Sequence, residues 1–233
     1  QSQQHFLYQE MQLLSELLRE AGVAVTLADP ADLEAGSSGV LLNGETVDLI
    51  YNRHCDFYLE SPEMSGLRAA YLAKRVRLTP NPLNYGLLAD KRRLTLWSGP
   101  DFADQLALPD RPKRLLEETI PQSRMLADLE PADAWAGRRH SVFKPVTRFG
   151  SRGVLLGEKI SRKRFEQLES SETLVQALVP PSLTEVPGHA PMKTDFRMYA
   201  YRNRVLGITA RLYRGQVTNL RTEGGGFAQV KLV

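Results

Sequence analysis

The stretch at residues 142–154 constrains this chain more than any other, because it sets a cation and two glycines between short apolar runs. Val142 and Phe143 have the pattern of a buried strand, and a second strand begins at Val154. Lys144 stands where the first strand opens, and residues 150–153 (Gly-Ser-Arg-Gly) can turn freely. Such a turn exposes backbone N–H groups that can converge on an anion, and a nearby lysine adds positive charge. The pattern predicts a hairpin that binds a polyphosphate, and a plain hairpin turn is the alternative.

Composition sets broad limits on the class of protein. The 233 residues are 42% apolar, enough to build one large or two modest domains, and the net charge of +3 permits an anionic partner without requiring one. No run of 18 apolar residues exists, and residues 1–10 lack a signal-peptide pattern, so we expect no membrane association. The single cysteine, Cys55, excludes an internal disulfide and agrees with a reducing compartment. A cytoplasmic protein is therefore expected.

Helix and strand signals alternate in the N-terminal part. Helical spacing of apolar residues predicts an amphipathic helix over residues 4–20, and Ser61-Pro62-Glu63 predicts the start of a helix that runs to about residue 74. Residues 34–43 are polar and are predicted to loop at Gly36-Ser37-Ser38-Gly39. Strands are predicted at residues 23–27, 47–51 and 76–78. This order predicts a small, mostly parallel α/β domain over residues 1–82, and the helix at its start leaves open that an N-terminal strand is missing.

Residues 83–233 have a different pattern. A helix is predicted over residues 85–97, followed by a loop-rich segment with five prolines. Beyond the opening hairpin, Ser161 is predicted to cap a helix, and a strand is predicted over residues 173–179. Strict alternation then predicts an antiparallel strand pair over residues 195–213. One face of that pair would carry Asp195, Arg197, Thr209 and Arg211.

Five motifs follow one another through residues 79–233. They are Asn81-Pro82 with Asp90-Lys91; Glu118-Thr119-Ile120-Pro121-Gln122-Ser123; Phe143-Lys144-Pro145 with Gly150-Ser151-Arg152-Gly153; Val175-Gln176-Ala177-Leu178-Val179-Pro180; and Asp195-Phe196-Arg197 with Ala210-Arg211, Asn219-Leu220-Arg221 and Gly224-Gly225-Gly226. In this order the motifs resemble those of the ATP-grasp ligases, and most closely those of bacterial glutathione synthetase and of ribosomal-protein glutamate ligases.

The resemblance implies a fold and a reaction. The fold would be a parallel α/β domain followed by an ATP-grasp domain with antiparallel sheets, including a nucleotide clamp at about residues 140–180 and an incomplete C-terminal subdomain at about 190–233. The reaction would use ATP to phosphorylate a carboxylate, which an amine then attacks to form an amide. Phosphoryl transfer depends on positioning and charge neutralisation, and lysines, arginines and backbone N–H groups supply both.

The resemblance also assigns roles to single residues. The implied nucleotide-binding residues are Lys91, Lys144, Gly150, Ser151, Arg152, Gly153, Gln176, Ala177, Val179 and Asp195. The implied catalytic residues are Arg197, Arg211 and Asn219. The implied substrate-binding residues are Arg221, Gly224 and Gly225. Mg²⁺ is expected as a cofactor, but the family's metal ligands follow the glycine turn and are expected beyond Val233, so the chain alone is expected to be a nearly inactive fragment.

Other functions stay open at this stage. A non-catalytic nucleotide-binding or scaffold module with the same fold is the main alternative. An RNA-binding protein is a weaker one, because the basic clusters are short and far apart. His54-Cys55 has no partner at metal-ligand spacing. The partners implied are ATP, a carboxylate substrate such as an amino acid or peptide, and an amine acceptor, and a homo-oligomer is left open.

Overall fold

The computed structural model describes residues 7–216, 218 and 223–232, and the chain forms two compact units, Gln1–Ala89 and Asp90–Val233. The sequence-based division at residues 82–83 assigns helix Pro82–Ala89 to the second domain, whereas its contacts group it with the first unit. No helix of the described residues is long and apolar enough to span a membrane.

The first unit, over residues 7–89, combines α-helices with an antiparallel sheet and a parallel strand pair. Its elements are α1 (Tyr8–Glu20), β1 (Leu33–Gly36), β2 (Gly39–Leu42), β3 (Glu45–Thr46), β4 (Leu49–Tyr51), α2 (Ser65–Leu72), β5 (Arg77–Thr79) and α3 (Pro82–Ala89). Strands β1, β2 and β3 pair antiparallel in that order, and β4 pairs with β5 in parallel. Helix α2 connects β4 to β5, as the predicted βαβ order requires. The core contains Val40, Leu59, Met64, Leu67, Ala70 and Leu78.

One prediction for the first unit is wrong and one is incomplete. Residues 23–27 do not form a strand: the guanidinium group of Arg19 binds the carbonyl oxygen of Val25 at 2.7 Å, and no described strand pairs with this segment. The turn predicted at residues 36–39 is present, but the residues on either side of it form the strands of the β1–β2 hairpin, which were not predicted. Val40 of that hairpin is buried in the core. Tertiary packing therefore stabilises strands in a segment whose local composition is polar.

The second unit is built around two antiparallel sheets. Its elements are α4 (Arg93–Trp97), α5 (Phe102–Gln105), α6 (Asp110–Thr119), β6 (Ser123–Met125), α7 (Pro131–Ala136), β7 (Ser141–Pro145), β8 (Leu155–Leu156), α8 (Arg162–Glu166), β9 (Thr173–Ala177), β10 (Ser182–Thr184), β11 (Met192–Tyr201), β12 (Arg204–Tyr213) and β13 (Gly226–Gln229). The first sheet has the order β6-β9-β7-β8 and the second has the order β10-β11-β12-β13. The predicted hairpins at 142–156 and 195–213 are both confirmed.

The first sheet buries one face. Phe143 of β7 and Val175 of β9 lie opposite each other in the strand register and pack in a core with Phe165 of α8. Helix α8 begins as predicted, because the Ser161 hydroxyl accepts a hydrogen bond from the backbone N–H of Arg164. The residues alternating with Phe143 and Val175 therefore point to the other face of the sheet.

Two predictions for the second part of the chain are wrong. The helix expected over residues 85–97 breaks between α3 and α4, where the Asp90 side chain accepts a hydrogen bond from the backbone N–H of Arg92. The proline-rich segment after it is not a loop, because it contains α5, α6 and α7. Pro109 directly precedes α6 and Pro131 opens α7. Prolines at helix starts cost no hydrogen bond, so here they mark helix beginnings.

Candidate functional site

The outer face of the β6-β9-β7-β8 sheet carries a row of polar side chains. Gln176 lies opposite both Ser123 of β6 and Val142 of β7 in the strand register, and Lys144 lies two residues further along β7. Because opposed residues and residues two apart share a face, Lys144, Gln176 and Ser123 project from the same side of the sheet. This is the face opposite the Phe143 core.

Lys144 and Lys91 come together at the end of β7. The Lys144 ammonium group donates a hydrogen bond to Oε1 of Gln176. The Lys91 ammonium group donates to the carbonyl oxygens of Val146, at 3.4 Å, and of Arg148. The backbone N–H of Lys91 also donates to the Val146 carbonyl at 3.1 Å. The break between α3 and α4 thus places the first predicted nucleotide lysine beside the second.

The electrostatics of the two lysines favour an anion. Burial lowers the pKa of Lys144 below its usual value, and the positive charge of Lys91 lowers it further. Burial also lowers the pKa of Lys91, and Asp90 partly offsets that effect. Among the described residues, neither ammonium group lies within 4 Å of a carboxylate oxygen. Two neighbouring, partly desolvated cations with no described carboxylate oxygen within 4 Å form a site that a phosphate group would stabilise.

The turn after β7 has a left-handed backbone conformation, which glycine adopts readily. Gly150, Ser151 and Gly153 all have positive φ, at 59°, 60° and 74°. A Cβ atom at position 153 would lie 2.9 Å from Cγ of Pro145, so this glycine also allows a close approach. Residues 150–153, including Arg152, are exposed. The turn is therefore open to solvent beside the two lysines. The Arg152 N–H donates to the Phe149 carbonyl at 3.2 Å, which leaves the N–H groups of Gly150, Ser151 and Gly153 for a ligand.

A cleft of about 550 Å³ lies between the segment that follows β9 and the second sheet. Val179 and Pro180 line one side, and Asp195 and Phe196 of β11 line the other. The Val179 side chain is 65% exposed. The cleft thus brings together Val179 and Asp195, two residues that the resemblance assigns to nucleotide binding. Ala177 does not line the cleft, and its backbone N–H donates to the carbonyl oxygen of Gln122 at 2.8 Å.

Asp195 and Arg211 face each other across β11 and β12. Arg211 Nε donates to one Asp195 carboxylate oxygen at 2.5 Å, and the Thr218 hydroxyl donates to the other at 2.9 Å. The pair is half-buried. A guanidinium group has five N–H donors, so the Nη groups of Arg211 keep donors for a further anion. The role of Thr218 was not expected from the sequence, because only the fold brings it to Asp195.

The remaining predicted residues are less closely grouped. Arg197 lies opposite Thr209, is exposed, and has its guanidinium carbon 6.0 Å from the centre of the Phe227 ring. Gly224 has a φ of 70°, and a Cβ atom there would lie 3.0 Å from the ring of His189. Gly225 precedes β13 in the same turn. Asn219 and Arg221 lie outside the described residues.

No three or more His, Cys, Asp or Glu side chains among the described residues group together as a metal site. Asp195, the carboxylate at the cleft, already accepts from Arg211 and Thr218. The residues described here therefore do not fit a protein-bound Mg²⁺, and ligands beyond Val233 stay a prediction.

Comparisons with known proteins bear on the fold. No protein family and no curated protein matches the sequence. Among solved structures, the ATP-grasp ligase PsnB, determined in complex with a minimal precursor, matches 96% of this chain and 74% of its own. The TM-score is 0.55 and the sequence identity is 14%. The chain has an ATP-grasp fold.

This result confirms the predicted fold class, a mixed α/β chain with a parallel strand pair followed by antiparallel sheets. In the ATP-grasp fold observed here, the lysine pair lies on the first antiparallel sheet of the second unit, and Asp195 and Arg211 lie on the second. At 14% identity the likeness concerns the fold, so the closer resemblance to glutathione synthetase and glutamate ligases stays a prediction.

Proposed function

We propose that this chain is an ATP-dependent ligase that joins a carboxylate to an amine. The observation that carries the proposal is the pair Lys91 and Lys144, two partly desolvated cations beside a glycine turn and without a carboxylate partner among the described residues. The ATP-grasp fold supports it. Bound ATP would supply the γ-phosphoryl group that converts the carboxylate to an acyl phosphate, from which the amine then displaces phosphate.

The chain's own residues have distinct tasks in this proposal. Lys91 and Lys144 bind phosphate oxygens, and the turn at 150–153 covers them with backbone N–H groups. Val179, which lines the cleft, would contact the nucleoside. Arg211, oriented by Asp195, directs its Nη groups to the charge that develops on the carboxylate or on the transferred phosphoryl group.

The finer assignment follows the resemblance to glutathione synthetase. The substrates would be an amino acid or peptide carboxylate and an amine, held by Arg197, Asn219, Arg221 and the glycines at 224 and 225. Arginines suit this role because their planar guanidinium groups bind carboxylates in a bidentate manner.

The direct test compares two lysine substitutions. Lys144→Ala removes a cation of the site, whereas Lys163→Ala removes an exposed lysine of α8. Calorimetric titration with ATP and Mg²⁺ should show affinity weakened about tenfold or more by Lys144→Ala, since a hydrogen bond to a charged group contributes roughly 1.5–3 kcal/mol. Lys163→Ala should bind ATP as the wild type does.

Measuring ATP turnover distinguishes a ligase from a non-catalytic nucleotide-binding module. Measured on a chain that also holds the predicted Mg²⁺ ligands, ADP release should depend on an added amino acid or peptide and an amine, and mass spectrometry should detect the amide. ATP binding without ADP release across such a panel would favour a non-catalytic nucleotide-binding module. Absence of ATP binding by the wild-type protein would contradict both.

A further inference from the structure

The side chain of Gln176 uses both ends of its amide within the protein. Its residue is only 7% exposed in the middle of the β6-β9-β7-β8 sheet. Oε1 accepts from the Lys144 ammonium group, and Nε2 donates to the Ser123 hydroxyl at 3.0 Å. Since an ammonium group can only donate, it fixes which end of the amide faces Lys144. Each end of the Gln176 amide therefore already has a partner within the protein.

Ser123 anchors the far end of this chain of hydrogen bonds. It is 4% exposed, and its hydroxyl donates to the Pro121 carbonyl at 2.9 Å while accepting from Gln176. Its backbone N–H donates to the Ser98 hydroxyl at 3.0 Å, directly after α4. Lys144 is thus connected through Gln176 and Ser123 to the Pro121 carbonyl and to the Ser98 hydroxyl. A fixed ammonium group loses little conformational entropy when it binds a phosphate.

The neutral charge of the Gln176 amide matters for Lys144 as much as the position of the amide does. A glutamate at position 176 would have nearly the same shape, but its carboxylate would pair with Lys144 and neutralise the charge in a partly dry site. The amide accepts a hydrogen bond and carries no net charge. It therefore orients the ammonium group and leaves its positive charge available to a ligand.

We propose that Gln176 is a positioning residue of the phosphate site, whose neutral amide holds the Lys144 ammonium group in place without neutralising it. Gln176 thus acts through Lys144 and does not contact the nucleotide with its side chain. The inference rests on the proposed function for its consequence, ATP affinity, but the effect of Gln176 on the protonation of Lys144 can be measured without any nucleotide.

The first experiment measures the protonation of Lys144 in the free protein. Competitive labelling with acetic anhydride over a pH series, read by mass spectrometry, gives the titration midpoint of Lys144, with exposed Lys163 as internal reference. The charged groups around the end of β7 are Lys91 and Arg92 before α4, Asp90, which pairs with Arg92, and Glu172, 3.5 Å from Arg92. They are unchanged in every variant.

Two substitutions should move the midpoint in opposite directions. Gln176→Glu should raise it, by about one pH unit or more, because an adjacent negative charge favours the ammonium form. Gln176→Met should lower it, because the hydrogen bond to the charged form is lost. A residue with only a packing role would not produce opposite shifts. An unchanged midpoint in Gln176→Glu would overturn the proposal.

The second experiment measures binding of ATP with Mg²⁺ and, separately, of inorganic pyrophosphate. Both variants should weaken binding about tenfold, Gln176→Glu by neutralising Lys144 and Gln176→Met by releasing it. Wild-type affinity in Gln176→Glu would overturn the proposal. If neither probe binds the wild-type protein, the proposed function fails, while the labelling result still decides the role of Gln176.

A third variant tests the proposal even if the Gln176 variants do not fold. Ser123→Ala leaves Lys144 and Gln176 in place but removes the anchor of the amide. It should weaken ATP binding severalfold, with the Lys144 midpoint shifted less than in either Gln176 variant. Retention of full affinity in Ser123→Ala, if the Gln176 variants do not fold, would contradict the proposal.

Discussion

The surroundings of Lys144 disfavour its charged ammonium form. We therefore expect ligand binding to be sensitive to alkaline pH. Burial and the charge of Lys91 lower its pKa below 10.5. A lysine binds phosphate only in its ammonium form. ATP affinity should therefore be complete at pH values well below this lowered pKa and be lost as pH rises through it, earlier than for a lysine with an ordinary pKa.

The control for this prediction is Lys144→Arg. A guanidinium group stays charged over the whole range, so calorimetric titrations of this variant should show a smaller loss of ATP affinity between neutral and alkaline pH. The titration of Lys91 would account for the loss that remains. A wild-type affinity that stays constant through pH 10.5 would contradict the lowered pKa.

At the scale of residues, the sequence identified cations and glycines but could not assign their partners. Lys91 and Lys144 were predicted as a pair, and the structure brings them together. Gln176 was predicted among the nucleotide-binding residues, on a strand whose backbone would recognise adenine, and this stays a prediction. Its side chain bonds Lys144 and Ser123. Motif order indicates which residues are close to a ligand. Strand register decides which of them point to it, and register depends on contacts distant in sequence.

Gly157 shows how closely two elements of the second unit pack. A Cβ atom at this position would lie 1.9 Å from the carbonyl oxygen of Arg138, in the turn Gly137–His140 that precedes β7. Gly157→Ala would force two backbone segments apart. We expect it to lower the free energy of unfolding by about 1–3 kcal/mol.

Gly137→Ala is the matched control, because a Cβ atom at Gly137 has no atom within 4 Å and its φ of −78° suits any residue. It should change stability little. Urea unfolding followed by tryptophan fluorescence measures both variants, since Trp97 and Trp135 both lie in the second unit. Equal effects of the two substitutions would contradict the packing argument.

The elements that the sequence predicted correctly are those determined by residues close together in the chain. Ser161 caps α8, and alternation correctly gave the β11–β12 hairpin. The β-bulge between Tyr199 and Ala200 was not foreseen, because nothing in the alternation marks Leu206 as lacking an opposite residue. The prolines between residues 100 and 131 predict loops, although two of them stand at helix starts in the structure. Proline excludes a helix interior, and sequence alone does not tell an interior from a beginning.

For the molecule as a whole, charge is concentrated on one hairpin. Strands β11 and β12 with their turn hold five cations and one acid, a net charge of +4, so the rest of the chain is slightly negative against a total of +3. The same hairpin exposes apolar side chains and extends beyond its neighbours, since β10 pairs only with Met192–Thr194. Unpaired strand edges with apolar side chains favour self-association, and like charges oppose it.

Self-association should therefore increase with salt. The Debye length falls from about 10 Å at 0.1 M to about 3 Å at 1 M, which screens repulsion between hairpins but leaves apolar attraction. Sedimentation velocity at the two salt concentrations measures the effect. Replacing exposed Arg202 and Arg204 by glutamine should allow self-association at a lower salt concentration. Association that weakens with salt would show that attraction between opposite charges dominates instead.

The turn at residues 150–153 has one more consequence. Arg148 and Arg152 are both exposed in or beside it, and trypsin cleaves after arginine in accessible loops. Under the proposed function, the segment that covers the phosphates is also a protease-sensitive segment of the free protein. The rate of tryptic cleavage at this turn would then report directly how much of the protein has a nucleotide bound.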